Sequence, residues 1–300
     1  VIDDSKKIYG QAFYIYALTE FHRAFGSRAA LDRAKELFEL IERHAHDQKF
    51  GGYMEVCNRD WSEAASARLS EKDLAEKKSM NNHLHVLEAY TNLYRVWREP
   101  RVAERLRKLI EIFLTRILDK KTKHLHHFFD EQWNVRSDTY TFGHDIEASW
   151  LLCEAVEVLD DAVLLKRVQA IALEIAEKTF AESLNGDGAV CYEGKDGKII
   201  DAGCEWWPQA EALVGFFNAF ELSGDENFLN GASRIWKYIE QNLVDRVHGE
   251  WFWRINVDGK PDAKLPKVSE WKGPYHATRA CLEIMRRMEK IKRKISGGPL

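Results

Sequence analysis

The chain has 300 residues, 45% hydrophobic and 12% aromatic, with a net charge of −4 and both signs mixed along its length. That is apolar material for one large domain or two small ones, and the lack of a basic stripe argues against nucleic acid as a partner. No apolar run approaches the roughly 20 residues that cross a bilayer, and no signal peptide is visible. Five scattered cysteines without a CxxC pair point to reduced thiols in a cytoplasmic protein. Ten tryptophans exceed routine packing and suggest stacking surfaces of the kind that carbohydrate-like ligands use.

Helical periodicity dominates the chain. Ile8–Phe25 and Arg28–His46 read as two helices, followed by a glycine-opened strand pair at Lys49–Asn58 and a polar loop over Arg59–Lys78. Two more helices follow, near Ser79–Trp97 and Arg101–Ile117, and then a hairpin at His124–Val135. Helices at Phe142–Leu159 and Ala162–Phe180 precede a hairpin at Gly188–Ile200 with Asp-Gly at its turn. The next pair is Glu205–Leu222 and Glu226–Leu243, with a hairpin at Gly249–Asn256. The last helix is expected at Pro274–Met288, and the tail Ile291–Leu300 is expected to be disordered.

The order helix, helix, short hairpin recurs with a period of roughly 60–75 residues. Such pairs bury their apolar faces only against neighbours, and aromatic hairpins recurring at one end fit a closed toroid with all hairpins on one rim. The expected fold is all-α, an (α/α)6 barrel, with residues 1–290 as a single catalytic domain. Nine helices leave such a ring three short, and with the start at Val1 this implies missing N-terminal helices.

The helix after each hairpin is the inner candidate, and these helices begin alike. Tyr9, Gln11 and Phe13 open the first; Asn81, Asn82, His83 and His85 the second; His144, Asp145 and Glu147 the third; Trp206, Trp207, Gln209 and Glu211 the fourth. Trp271 and His276 stand at the start of the last. Polar, titratable and aromatic groups at equivalent places read as the lining of a funnel. Asn81 and His85 share a helical face, as do His144 and Glu147, and Trp207 and Glu211. His83 lies about 200° from His85 on the wheel and is expected to be a buried donor. No metal is expected: His83-x-His85 splays on a helix, and His124-x-His126 has no third ligand nearby in sequence. There is no phosphate loop and no nucleophile elbow.

The stretches SMNNHLHVLEAYTNLYRVW (Ser79–Trp97), FGHDIEASWLL (Phe142–Leu152), EWWPQAEALVGFFNA (Glu205–Ala219) and WKGPYHATRACLEI (Trp271–Ile284) resemble the cellobiose 2-epimerases of the N-acylglucosamine 2-epimerase superfamily. The resemblance runs from about Ile8 to Met288. It implies an (α/α)6 barrel that inverts C2 of the reducing-end sugar of a β-1,4-linked disaccharide without cofactor or metal. It further implies His144 and His276 as the catalytic pair, His85 as a third essential histidine, and Asn81, Glu147, Trp207, Trp271, Glu211 and Tyr9 as substrate-binding residues. Asn82, Gly273 and Ala277 depart from the family's usual Thr, Cys and Asn, and the family's enediolate-holding Arg on the second helix has no counterpart. The expected partner is a small disaccharide and the expected state a monomer. A D-mannose 2-epimerase or mannose isomerase would use nearly the same histidines. An inverting glycoside hydrolase on this fold needs two carboxylates roughly 6.5–9.5 Å apart, and a non-catalytic sugar-binding barrel would bind without C2 exchange.

Overall fold

In the computed structural model, residues 3–64, 68–70 and 73–295 are described, and they contain nine α-helices and nine short strands. The helices are α1 (Ile8–Phe25), α2 (Arg28–His44), α3 (Met80–Val96), α4 (Pro100–Ile112), α5 (Phe142–Leu159), α6 (Ala162–Ser183), α7 (Trp206–Ser223), α8 (Glu226–Tyr238) and α9 (Tyr275–Ile295). Local chemistry fixes their ends. The side chains of Ser27, Ser79 and Asp225 accept first-turn N–H groups of α2, α3 and α8. Pro100 starts α4 where its missing N–H is harmless. Gly26 and Gly224 end α1 and α7 in the left-handed region at φ 68° and 73°, where a side chain would be strained.

Several bounds differ from expectation, among them α2, which stops at His44, and α6, which runs on to Ser183. The helices α4 and α8 each finish in a five-residue π-helical turn, Phe113–Ile117 and Ile239–Leu243, that periodicity does not distinguish from α-helix. The last helix continues past Met288 to Ile295, so the tail expected to be disordered from Ile291 is helical at its start. Residues 296–300 lie outside the described residues.

The short hairpins are present, and longer-range strand pairs join them. Among the described residues, β6 (Glu193–Lys195) and β7 (Lys198–Asp201) are the one pair of full strands that is local, turning at Asp196 and Gly197 with φ 50° and 73°, while the expected hairpin at His124–Val135 is reduced to a single Phe129–Val135 bridge. Elsewhere each two-residue strand pairs across a helix pair, always antiparallel. β1 (Lys6–Lys7) meets β2 (Val56–Cys57), and β3 (Lys78–Ser79) meets β4 (Phe128–Phe129). β5 (Tyr140–Thr141) meets β6, and β8 (Cys204–Glu205) meets β9 (Arg254–Ile255). Strands of two residues carry no period-2 signal to read. Each of β1, β3, β5 and β8 runs without a gap into α1, α3, α5 or α7. The four connecting loops repeat a smaller device. Asp47, Asp119, Asn185 and Asp245 each accept, on Oδ1, the backbone N–H two residues ahead.

The backbone divides into two compact units. One holds Val1–Asp138 and Leu151–Val168, where α1 packs on α2 and α3, and α3 on α4. In it α3 is buried nearly all round, through Leu84, Val86, Leu87, Ala89, Tyr90 and Leu93, whereas α2 buries one stripe, Ala30, Ala34, Phe38 and Ile41. The fully buried Lys78 ties two loops together: its Nζ donates to Asp47 Oδ2 at 2.6 Å, Gly51 O at 2.8 Å and Glu131 O at 2.7 Å, and lies over the Trp133 ring. The other unit holds Thr139–Trp150 and Gln169–Leu300, where α7 packs on α8 and α9. There α7 is the enclosed helix and α8 buries one stripe, Phe228, Ala232 and Ile235.

Glu55, beside β2, is a buried carboxyl of the first unit. Neither carboxylate oxygen makes a hydrogen bond of ordinary geometry, and burial outweighs the pull of Ser79 and Lys7 to raise its pKa to about 8. The folded chain therefore holds this proton more tightly than the unfolded one. Its stabilising contribution is complete below the unfolded value near 4.5 and is lost as pH rises through about 8. Guanidinium unfolding midpoints measured from about pH 5 to 9 should fall more steeply for the natural chain than for Glu55→Gln. Parallel profiles would remove Glu55 as the cause.

Candidate active site

The second unit brings together most of the candidate residues. Thr141 ends β5 and its hydroxyl lies 2.5 Å from His144 Nδ1, so the ring is held from behind in the first turn of α5. The Trp207 ring, from the first turn of α7, sits 4.6 Å from the His144 ring and 5.6 Å from the His276 ring. Its Nε1 donates to Glu205 at 3.1 Å, and Gly143 lies under its face so closely that a Cβ there would come within 2.5 Å of Trp207 Cζ3. Trp207 is 8% exposed and stands between two half-buried imidazoles. Its place beside both rings makes it a spacer of the histidines as well as a candidate sugar contact.

Behind the imidazoles lies a charged layer. His276 Nδ1 is 2.6 Å from Glu211 Oε1, which fixes that side of the ring against the carboxylate. Arg279, three residues further along α9, places Nη2 2.6 Å from Glu211 Oε1 and 2.7 Å from Glu147 Oε1. Trp150 Nε1 donates to the other oxygen of Glu211 at 3.1 Å, and the guanidinium stacks over the Trp150 and Tyr275 rings. Glu147 and Glu211 are enclosed, at 0% and 1% exposure. Burial works against ionising Glu211, yet Arg279 and His276 hold it below the ordinary carboxylate range. Glu147, Glu211 and His276 offer ligand atoms within 4.8 Å of one another, a grouping of metal-ligand types that sequence spacing did not suggest. The guanidinium already supplies positive charge there, which disfavours a cation on the same carboxylates. Trp271 lies in the loop before α9, 40% exposed, its N–H on Ser269.

The first unit holds the remaining candidates. The Tyr9 and Phe13 rings of α1 lie 4.9 Å and 4.7 Å from the His85 ring of α3, and His85 Nδ1 is 3.1 Å from Glu88 Oε2. Asn81 is half-buried on the preceding turn of α3. His83 is the enclosed histidine: Nε2 accepts from Tyr53 N at 2.9 Å, Nδ1 lies 2.6 Å from Ser79 O, and burial lowers its pKa to about 3. His127 is likewise pushed down by burial, to about 4. Sequence reasoning missed Thr141, Glu88 and Arg279. Glu88 and Arg279 each stand three residues from a histidine on the same helix, the spacing that shares a face, whereas Thr141 ends the strand before α5.

The sequence profile of the N-acylglucosamine 2-epimerase (GlcNAc 2-epimerase) family matches residues 1–280. A cellobiose 2-epimerase of Bacteroides fragilis is 46% identical over 285 residues, covering 95% of this chain and 72% of that protein. The solved structure of the cellobiose 2-epimerase from Bacillus thermoamylovorans matches with a TM-score of 0.89 at 41% identity, over 95% of this chain and 72% of that one. A D-mannose isomerase structure matches with a TM-score of 0.79 at 20% identity, over 95% of this chain and 72% of that one, a likeness of fold alone. The fold class is the all-α, (α/α)6-barrel class expected from the helix-pair repeat.

Gly143→Ala should push Trp207 off its seat, because backbone and ring cannot both yield to a contact of 2.5 Å. A loss of about 1–3 kcal/mol in urea unfolding is expected from overpacking, together with a changed near-ultraviolet dichroism. An unchanged tryptophan signal and unchanged stability would mean that the ring moves freely there.

Proposed function

The chain belongs to the N-acylglucosamine 2-epimerase family, and we propose that it epimerises C2 of the reducing-end sugar of β-1,4-linked disaccharides, cellobiose to glucosylmannose and lactose to epilactose. It is a carbohydrate epimerase, an isomerase by reaction class. The observation that carries the mechanism is the pair of half-buried imidazoles, His144 and His276, on one Trp207 ring with their Nδ1 atoms taken up behind.

The chemistry needs two groups that titrate near neutrality. The sugar ring opens to the aldehyde as a proton passes from the O1 hydroxyl to one imidazole and another is delivered to the ring oxygen. The C2 proton, acidified by the adjacent carbonyl, moves to an imidazole and leaves an enediolate. A proton returned to the opposite face of C2 gives the epimer, and ring closure reverses the first step. Glu211 fixes the Nδ1 side of the His276 ring against its carboxylate. In this reading Trp271 contacts the sugar, and Glu147 tunes the pair through Arg279. The reading takes residues 1–290 as one catalytic domain, supported by the family match over residues 1–280. Free thiols at Cys57, Cys191, Cys204 and Cys281 fit a reducing, cytoplasmic setting. Hydrolysis fits poorly, since Glu147 and Glu211 are enclosed and share one guanidinium, closer than the roughly 6.5–9.5 Å of an inverting pair.

Deuterium uptake at C2 in heavy water tests the reading. Cellobiose and lactose should exchange, with an optimum near neutral to mildly alkaline pH because neutral imidazole is the base. His144→Ala and His276→Ala should each lose at least about 10²–10⁴-fold with the fold intact by circular dichroism. Substantial exchange in either variant would refute the two-histidine mechanism, and exchange confined to free mannose would overturn the disaccharide assignment.

A further inference from the structure

The charged layer behind His276 holds one residue that the scheme above names only as a link. Arg279 is 9% exposed and its guanidinium bridges carboxylates from two other helices, Glu147 of α5 and Glu211 of α7. We propose that Arg279 is a positioning residue that sets the protonation balance of His276: it locks Glu147 and Glu211 as an ionised pair and supplies the positive charge that lets the imidazole release its proton. The proposal rests on the epimerase reading only for its kinetic consequence.

The argument is a count of charges in a buried place. Glu147 and Glu211 carry two negative charges and Arg279 one positive. With His276 protonated the group is neutral, and releasing that proton leaves a single excess negative charge. Without the guanidinium the two carboxylates would face the imidazole alone. The proton would then leave against two buried negative charges, and the base form needed to accept from C2 would appear only at higher pH. The rings packed around His276 carry no formal charge. On α7, Trp206 and Trp207 present rings at 6.3 Å and 5.6 Å, and on α9 the Tyr275 ring lies at 4.6 Å. His144 lies across Trp207, and the Lys272 ammonium is engaged by Glu250 at 3.1 Å. The flat guanidinium also fits its place where an ammonium would not. It stacks between the Trp150 and Tyr275 rings and donates to the Tyr275 hydroxyl. Lysine would keep the charge and lose the stacking.

Two substitutions of opposite sign test the idea. Arg279→Met should move the titration of His276, followed by NMR in histidine-labelled protein and assigned with His276→Gln, upward by about 1–3 pH units. Glu147→Gln should move it downward. The acid limb of kcat/KM for C2 deuterium exchange should shift by the same amounts, while Arg279→Lys should keep the limb near its natural position at a reduced kcat. His276 titrating unchanged in Arg279→Met, or a uniform fall in rate with no shifted limb, would overturn the proposal in favour of a packing role. If Arg279→Met does not fold, Glu147→Gln and Arg279→Lys decide, and a Glu147→Gln titration that stays put or rises overturns it. A natural chain with no C2 exchange on any sugar would sink the epimerase reading, and the NMR titration would still decide the role of Arg279.

Discussion

Most of the candidate site residues depend on one backbone constraint: a two-residue strand that becomes a helix with no residue between. Among the described residues this happens at α1, α3, α5 and α7, and the strand in each case is held by a partner far away in sequence. Ladder hydrogen bonds fix the direction in which the chain enters the helix, so side chains of the opening turns have little freedom to be misaimed. Tyr9, Asn81, His144 and Trp207 all occupy such turns. The helix itself then carries a second group three or four residues on, which is how His85 and Glu147 acquire fixed neighbours without any loop having to be rigid.

His276 is placed differently. Its helix α9 follows a loop, and no strand abuts it. Side-chain electrostatics replace the missing ladder: Glu211 grips the ring nitrogen and Arg279 fastens α9 to carboxylates of α5 and α7. One histidine is therefore aimed by backbone pairing and the other by a buried ion cluster. Burial sorts the groups in the same sense. Carboxylates and guanidinium are enclosed, where removing one partner leaves an uncompensated charge, while the imidazoles alone among them reach solvent.

The helices were readable because amphipathic stripes and caps are local: α2 shows its stripe and its Ser27 cap in the bare sequence. The enclosed α3, α5 and α7 were readable from helical periodicity as well, with polar groups gathered at their first turns. Strand pairing was not readable, since two residues such as Lys6 and Lys7 or Lys78 and Ser79 present no alternation, and their partners lie beyond a helix pair. The histidines stood out because a titratable ring at a helix start is unusual among apolar neighbours. Arg279 did not, because an arginine in a helix otherwise rich in Lys and Arg looks like solvent-facing charge until the carboxylates of two other helices come into view.

The four side-chain-capped loops hold a detail that concerns the age of a molecule. Three of them use aspartate, at 47, 119 and 245, while the fourth uses Asn185, followed by Gly186. Asparagine before glycine is the pair most prone to lose ammonia through a cyclic imide, because the next backbone nitrogen meets no side-chain obstruction. Here Oδ1 is held by the N–H groups of Asp187 and Ala189, and Nδ2 reaches Cys204, so the amide is restrained from turning toward Gly186. When deamidation does occur, the straight-chain product is an aspartate, the residue the other three loops already accept. The branched isomer lengthens the backbone and breaks the turn just ahead of the strands that lead into α7.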